Sequence, residues 1–177
     1  FASMLIASSL AAEQKFSVWL DGVRAEARQR GLKAETILSS LSNIKPIPRV
    51  IELDRRQPEF TLTLNQYLNR VVNERRVRKG RVRFVKHRSL LLEISAQYRV
   101  QPRFILALWG IETDFGRLKG GFPVIPALAT LAYDGRRSKY FRKEMFNALT
   151  IVDQGHIVAK DMIGSWAGAL GQNQFMP

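Results

Sequence analysis

Apolar residues recur along most of this chain at helical spacing, which predicts a succession of α-helices. Phe16, Trp19, Leu20, Val23 and Ala27 share one helical face, and Gly31 supplies a stop. Ile37, Leu38 and Leu41 mark a second short helix before the loop Lys45-Pro46-Ile47-Pro48. The stretch Phe60-Thr61-Leu62-Thr63-Leu64 alternates like a strand, yet Leu64, Tyr67, Leu68, Val71 and Val72 continue at helical period, which favours a helix capped by Thr63. Further helices are predicted from about Val85 to Tyr98, and from Pro102, a residue tolerated in a first turn, to about Thr113. The second of these carries Phe104, Ile105, Leu108, Trp109 and Ile111, is apolar around most of its circumference, and is expected to be buried. Pro126 opens a helix through Tyr133 that Asp134-Gly135 breaks, and Phe141, Met145, Leu149 and Val152 mark one more that stops near Gly155. No repeat, linker or low-complexity segment separates these pieces, so the pattern predicts one mainly helical unit.

A chain of 177 residues, 46% of them apolar, suits one domain with a real core. Cysteine is absent and the two histidines are isolated, so no disulfide, zinc–thiolate site or familiar metal cluster is available. The formal charge of +13 favours anionic partners such as nucleic acid, acidic lipid or an acidic wall polymer, without choosing among them. Its densest run comprises Arg75, Arg76, Arg78, Lys79, Arg81, Arg83, Lys86 and Arg88, and reads either as a solvated face or as a polyanion contact. Only Phe84 interleaves that run as a base-stacking aromatic and no nucleic-acid-binding motif is present, so nucleic acid is not the expected partner. The first dozen residues, FASMLIASSLAA, end in the small-x-small pattern Ser9-Leu10-Ala11 and read as the tail of an export signal or as an ordinary N-terminal helix. No apolar stretch approaches the ~20 residues needed to span a bilayer. On the signal reading, residues 1–12 are a remnant and 13–177 are the exported protein, soluble or peripherally attached.

Glu112 stands out, because it lies in the last turn of the apolar helix with Leu108 and Gly116 as its i±4 neighbours and no local cation. Burial and the negative end of the helix dipole would both raise its pKa, and a carboxyl that keeps its proton near neutral pH suits general-acid cleavage of a glycosidic bond. An exposed glutamate at a frayed helix end fits the same residues. Asp114, the other nearby carboxylate, falls about 200° around the axis at ~100° per residue, so a two-carboxylate arrangement is not evident and a one-acid, substrate-assisted route is the natural alternative. Gly116 reads as the helix C-cap. The tail from Gly164 to Pro177 is rich in glycine, amides and aromatics, which suit close approach to a sugar, hydrogen bonds to its hydroxyls and packing on its ring. A small-residue helix contact followed by a loop is the plainer reading of that tail.

Three stretches in order, PRVIELDRRQPEFTLT (48–63), ALWGIETDFGRLKGGFPVIPALATLAYDGRRSKYF (107–141) and GSWAGALGQNQFMP (164–177), resemble the lytic murein transglycosylases of the B type, family 103 of the glycoside hydrolases. The resemblance covers nearly everything from about Phe16 onward. It implies a mainly α fold with a lysozyme-like core on a helical scaffold, truncated here on its C-terminal side, so that 13–177 form the N-terminal part of a catalytic domain. It places the family's acid/base on Glu112, which would protonate the oxygen linking N-acetylmuramic acid to N-acetylglucosamine. Glu112 would then take the proton of the muramic acid's own 6-hydroxyl, giving 1,6-anhydromuramic acid. The resemblance sets Arg136, Arg137, Ser165, Gln174 and Phe175 along the glycan cleft, the two arginines being suited to carboxylates of the peptide stems. It implies peptidoglycan glycan strands as partner, no cofactor, no metal within these residues (the acidic calcium loop of some members lies beyond the last motif), and a periplasmic location compatible with attachment to the outer membrane. A peptidoglycan-binding protein that keeps the fold without cleaving is the alternative.

Overall fold

A computed structural model describes residues 2–56 and 62–177, with side chains from Lys15 onward. Contacts divide the chain into two compact units, where the periodicity suggested one: residues up to 56 with 120–170 and 176–177, and residues 57–119 with 171–175.

In the first unit, α1 (Ala2–Gln29) runs on through the segment expected to be a signal remnant, whose side chains lie outside the described residues. Its face Phe16, Leu20, Val23 and Ala27 is buried as the spacing predicts. Arg24 donates to the carbonyl of Leu41 at the end of α2 (Ala34–Leu41), tying these helices together. Next comes α3 (Pro48–Arg55), a helix that the paired prolines concealed: Ile47 is extended, as a residue before proline must be, and Pro48 then opens the first turn. The loop is held from below, since Ile47 N–H donates to Thr130 Oγ1 at 3.0 Å. Thr130 belongs to α8 (Val124–Asp134), which is buried along almost its whole length and forms the axis of the unit. Ala127, Ala129 and Ala132 let its neighbours approach closely, and α9 (Ser138–Asp153) packs on it through Phe141, Met145, Phe146 and Leu149. Gly135, at φ +92°, makes the break between α8 and α9 that Asp134-Gly135 signalled.

One short ladder escaped the periodicity. Strand β1 (Phe122–Pro123) pairs antiparallel with β2 (Ile163–Gly164), Phe122 opposite Gly164 and Pro123 opposite Ile163. Gly120 enters it at φ +92°, and a Cβ there would run into the backbone of Gly164 and Ser165, so only glycine fits.

In the second unit, α4 (Leu64–Val71) begins with Thr63 as cap. Its hydroxyl accepts from Gln66 N–H while the Gln66 side chain accepts from Thr63 N–H, a reciprocal capping box. The strand-like alternation from Phe60 lies partly outside the described residues. The basic run forms α5 (Glu74–Lys86), and the helix expected from Val85 starts instead at Arg88 as α6 (Arg88–Tyr98), because His87 adopts a non-helical conformation between them. Last comes α7 (Pro102–Thr113), with the bounds the sequence predicted. Its expected burial is not observed. Phe104, Leu108 and Ile111 are 53%, 58% and 44% exposed, because among the described residues α5 and α6 cover only the side that carries Gly110 and Thr113. The fully enclosed apolar helix is α8.

Candidate active site

Pro102 starts α7 after an extended Gln101, and the helix carries Glu112 in its final turn. Rather than fraying or capping at Gly116, the backbone turns left-handed at three successive residues, Asp114, Phe115 and Gly116, with φ of 50°, 60° and 79°. For the two that are not glycine, such a conformation costs on the order of 1–3 kcal/mol each and persists only where the surroundings enforce it. Here they do. Asp114 N–H donates to Gly110 O, Phe115 N–H to Trp109 O, and Leu118 N–H to Thr113 O at 2.8 Å. Thr113, fully buried, accepts from Gly116 N–H at 2.9 Å and donates from the same hydroxyl to Gln172 O at 2.7 Å. The Phe115 ring is 6% exposed and seats against Gly110, where a Cβ would lie 2.7 Å from its Cζ, and against Gly80 of α5.

Asp114 is turned inward. Its side chain is 1% exposed, and Oδ2 meets Arg117 Nε at 2.6 Å and Lys79 Nζ at 3.3 Å, with Arg75 at 3.8 Å. Arg117 foremost, joined by Lys79, holds this carboxyl below the usual carboxylate range although burial pushes the other way. The expectation that Asp114 points away from Glu112 is met, though through the left-handed turn rather than through continued helix. Glu112 itself is exposed, a correction to the buried carboxyl expected, and has no hydrogen bond or ion pair among the described residues. The cause is the same uncovered face of α7. At the end of this helix, one carboxylate is therefore committed to structure and one is free.

Gln172 was missed by the sequence reading. Its Oε1 accepts from Trp109 Nε1 at 2.6 Å and its backbone carbonyl from Thr113, so this amide of the tail fastens the same helix end. The signal was present in the amide-rich run, but Gln174 was singled out. Gln174, left-handed at φ 52°, turns its amide back on Gly171 O at 2.8 Å, and Phe175 is 73% exposed. Both belong to the unit of Glu112; Ser165, Arg136 and Arg137 belong to the other. Ser165 closes a loop: its Oγ accepts from Ala169 N–H at 3.0 Å, leaving the hydroxyl proton to donate elsewhere. Arg136 donates to the carbonyl and to Oδ2 of buried Asp54, and Arg137 to its Oδ1.

A cavity of about 570 Å³ opens in the second unit between α5 and α7, lined by Val77, Phe84, Val85, Leu106, Ile111 and Phe115. Such walls offer a sugar few hydrogen-bond partners, and Glu112 is not part of them.

Residues 15–177 match the family model described as the Transglycosylase SLT domain. The chain belongs to this family. It is 32% identical over 159 residues to the Membrane-bound lytic murein transglycosylase B of Escherichia coli, covering 84% of this chain and 44% of that protein. Among solved structures, SltB3 from Pseudomonas aeruginosa in complex with NAG-NAM-pentapeptide superposes with a TM-score of 0.85 at 41% identity, over 92% of this chain and 43% of that one. The soluble lytic transglycosylase SltB1 from Pseudomonas aeruginosa gives 0.81 at 27% identity, over 90% and 54%. The fold is thus the mainly α, lysozyme-like transglycosylase fold that the motifs implied. The chain spans less than half the length of the first two of these relatives.

Proposed function

We propose that this chain carries the acid/base of a peptidoglycan lytic transglycosylase, and that Glu112 is that group. The observation that carries the reading is the division of labour at the end of α7: Asp114 is consumed by Arg117 and Lys79, and Glu112, in the family's motif, is free to face a ligand. Glu112 gives its proton to the glycosidic oxygen between N-acetylmuramic acid and N-acetylglucosamine as the C1–O bond breaks. The carboxylate then takes the proton of the muramic 6-hydroxyl as that oxygen bonds to C1. Water is not consumed, Glu112 is restored, and the new end is 1,6-anhydromuramic acid. That SltB3 has also been solved with NAG-anhNAM-pentapeptide supports a product of this kind for a 41% identical relative. Ser165, Gln174, Phe175, Arg136 and Arg137 contribute glycan and stem-peptide contacts. The protein acts in the periplasm, and the name of the Escherichia coli relative supports attachment to a membrane, read here as the outer membrane; among the described residues no helix is long and apolar enough to cross one.

The exposure of Glu112 favours a second reading, a protein that binds peptidoglycan without cutting it. Digestion of purified peptidoglycan by the protein at its natural length, followed by mass spectrometry, separates the two. Anhydro-muropeptides, lighter by one water than hydrolysis products, are expected, and Glu112→Gln should keep the fold and release none. Reducing-end products would make the protein a hydrolase, binding without products would make it a non-catalytic binder, and substantial turnover by Glu112→Gln would move the acid elsewhere.

A further inference from the structure

The left-handed turn after Glu112 is held more heavily than a helix end needs. Ordinary C-caps place one glycine in this conformation; here an aspartate and a phenylalanine precede the glycine, all three at positive φ. Lys79, one helix away on α5, donates to Asp114 O at 2.8 Å and approaches Asp114 Oδ2 at 3.3 Å, so a single ammonium grips both the backbone and the side chain of the turn. Arg117 closes on the same oxygen at 2.6 Å. The other oxygen, Oδ1, is buried with no hydrogen-bond partner among the described residues, an arrangement that a purely stabilising cluster would have little reason to keep. Phe115 is locked in turn by the notch of Gly110 and Gly80, with Trp109 edge-on at 5.5 Å and Lys79 over its ring at 5.7 Å.

We infer that Lys79, Arg117 and Phe115 are positioning residues, which fix the direction of the Glu112 carboxyl by locking the turn that ends its helix. The inference rests on Glu112 being the acid. The Glu112 side chain has no hydrogen bond or ion pair among the described residues, so its aim is set by the helix end and by what pins that end. Proton transfer in a transition state is sensitive to displacements well under a bond length, whereas glycan binding spread over many contacts is not. Loosening the turn should therefore act on turnover and leave affinity nearly unchanged.

The test uses the protein at its natural length on purified peptidoglycan, with rates scaled to the folded fraction measured by circular dichroism. Lys79→Met should lower kcat at least tenfold with KM within twofold, and Lys79→Arg, which can still bridge to Asp114, should recover most of the loss. Gly110→Ala, which pushes the Phe115 ring out of its notch without touching any charge, should give the same split. If Glu112→Gln abolishes turnover while both Lys79→Met and Gly110→Ala keep kcat within twofold, the positioning role is overturned and the acid assignment stands. A loss that vanishes on scaling to the folded fraction, or one that falls on KM alone, overturns it too. Turnover retained by Glu112→Gln overturns the acid assignment and this inference with it.

Discussion

Replacing Arg136 and Arg137 together by alanine should destabilise the first unit more than replacing the aspartate they share. Asp54 is 2% exposed, while the two arginine side chains remain 50% and 43% exposed. Asp54→Asn keeps the shape and removes the charge, but both guanidinium groups can turn to water. What is lost is charge-assisted hydrogen bonding worth about 1.5–3 kcal/mol, and the exposure of the arginines argues for the lower end. Removing both arginines instead strips a buried carboxylate of two charged partners, which costs at most about 3–5 kcal/mol, less whatever its remaining interactions offset. Urea denaturation at neutral pH, with equal slopes across the variants, reads the two values directly. A double-arginine variant costing no more than Asp54→Asn would refute the reasoning, because it would mean that Asp54 draws its stability from elsewhere. The comparison bears on binding as well. A stem carboxylate must compete with Asp54 for the guanidinium groups, so Asp54→Asn should tighten peptide-stem binding if the arginines contact it.

Leu128, fully buried on α8 and in the path of any side chain at Gly168, should cost about 2–5 kcal/mol when cut to alanine, again by urea denaturation. Gly120→Ala should cost more than about 1 kcal/mol, since the residue is at positive φ and its Cβ would enter the backbone of β2; a neutral result would show that the ladder is dispensable. Acid should destabilise the protein. Asp114 is held low chiefly by Arg117; at Glu26 burial pushes up, but Arg142 and Arg30 outweigh it. A folded-state pKa below the unfolded one gives stability that is present above the ordinary carboxylate value and lost as pH falls through the folded one. Urea midpoints should therefore decline from about pH 5 downward, and Asp114→Asn should lessen that decline. Thr63→Ala should cost about 0.5–2 kcal/mol and raise amide exchange in the first turn of α4 without affecting α8.

Helices with a clear apolar period and a stop or start signal were readable from spacing: α1, α2, α4, α7 and α9 lie close to where those signals set them. Two helices were not. The face of α5 is crowded with cations and its mean hydropathy is low, so charge hid the period, while α3 is short and introduced by two prolines that read as loop. Burial was not legible from the apolar pattern alone. An apolar circumference on α7 and on α8 looks alike in sequence, but α8 is wrapped and α7 is not. Glu112 stood out as a candidate from its isolation among apolar residues and from the motif around it. Lys79 and Gln172 did not, because what makes them matter is reach across 35 and 63 residues, which no local pattern encodes.

The return of residues 171–175 to the unit formed by 57–119 has a consequence for synthesis. The backbone carbonyl that secures Thr113 and the amide that holds Trp109 both belong to Gln172, 59 and 63 residues further on. At a translation rate of ~5–20 residues per second, α7 waits roughly 3–13 s after Trp109 is added before that residue exists. During that interval the turn after Glu112 has Lys79, Arg117 and Phe115 to hold it, but neither of the bonds from Gln172. The C-terminal end of α7 thus gains these two bonds only after the whole of residues 120–170 has been made, although those residues belong to the other unit.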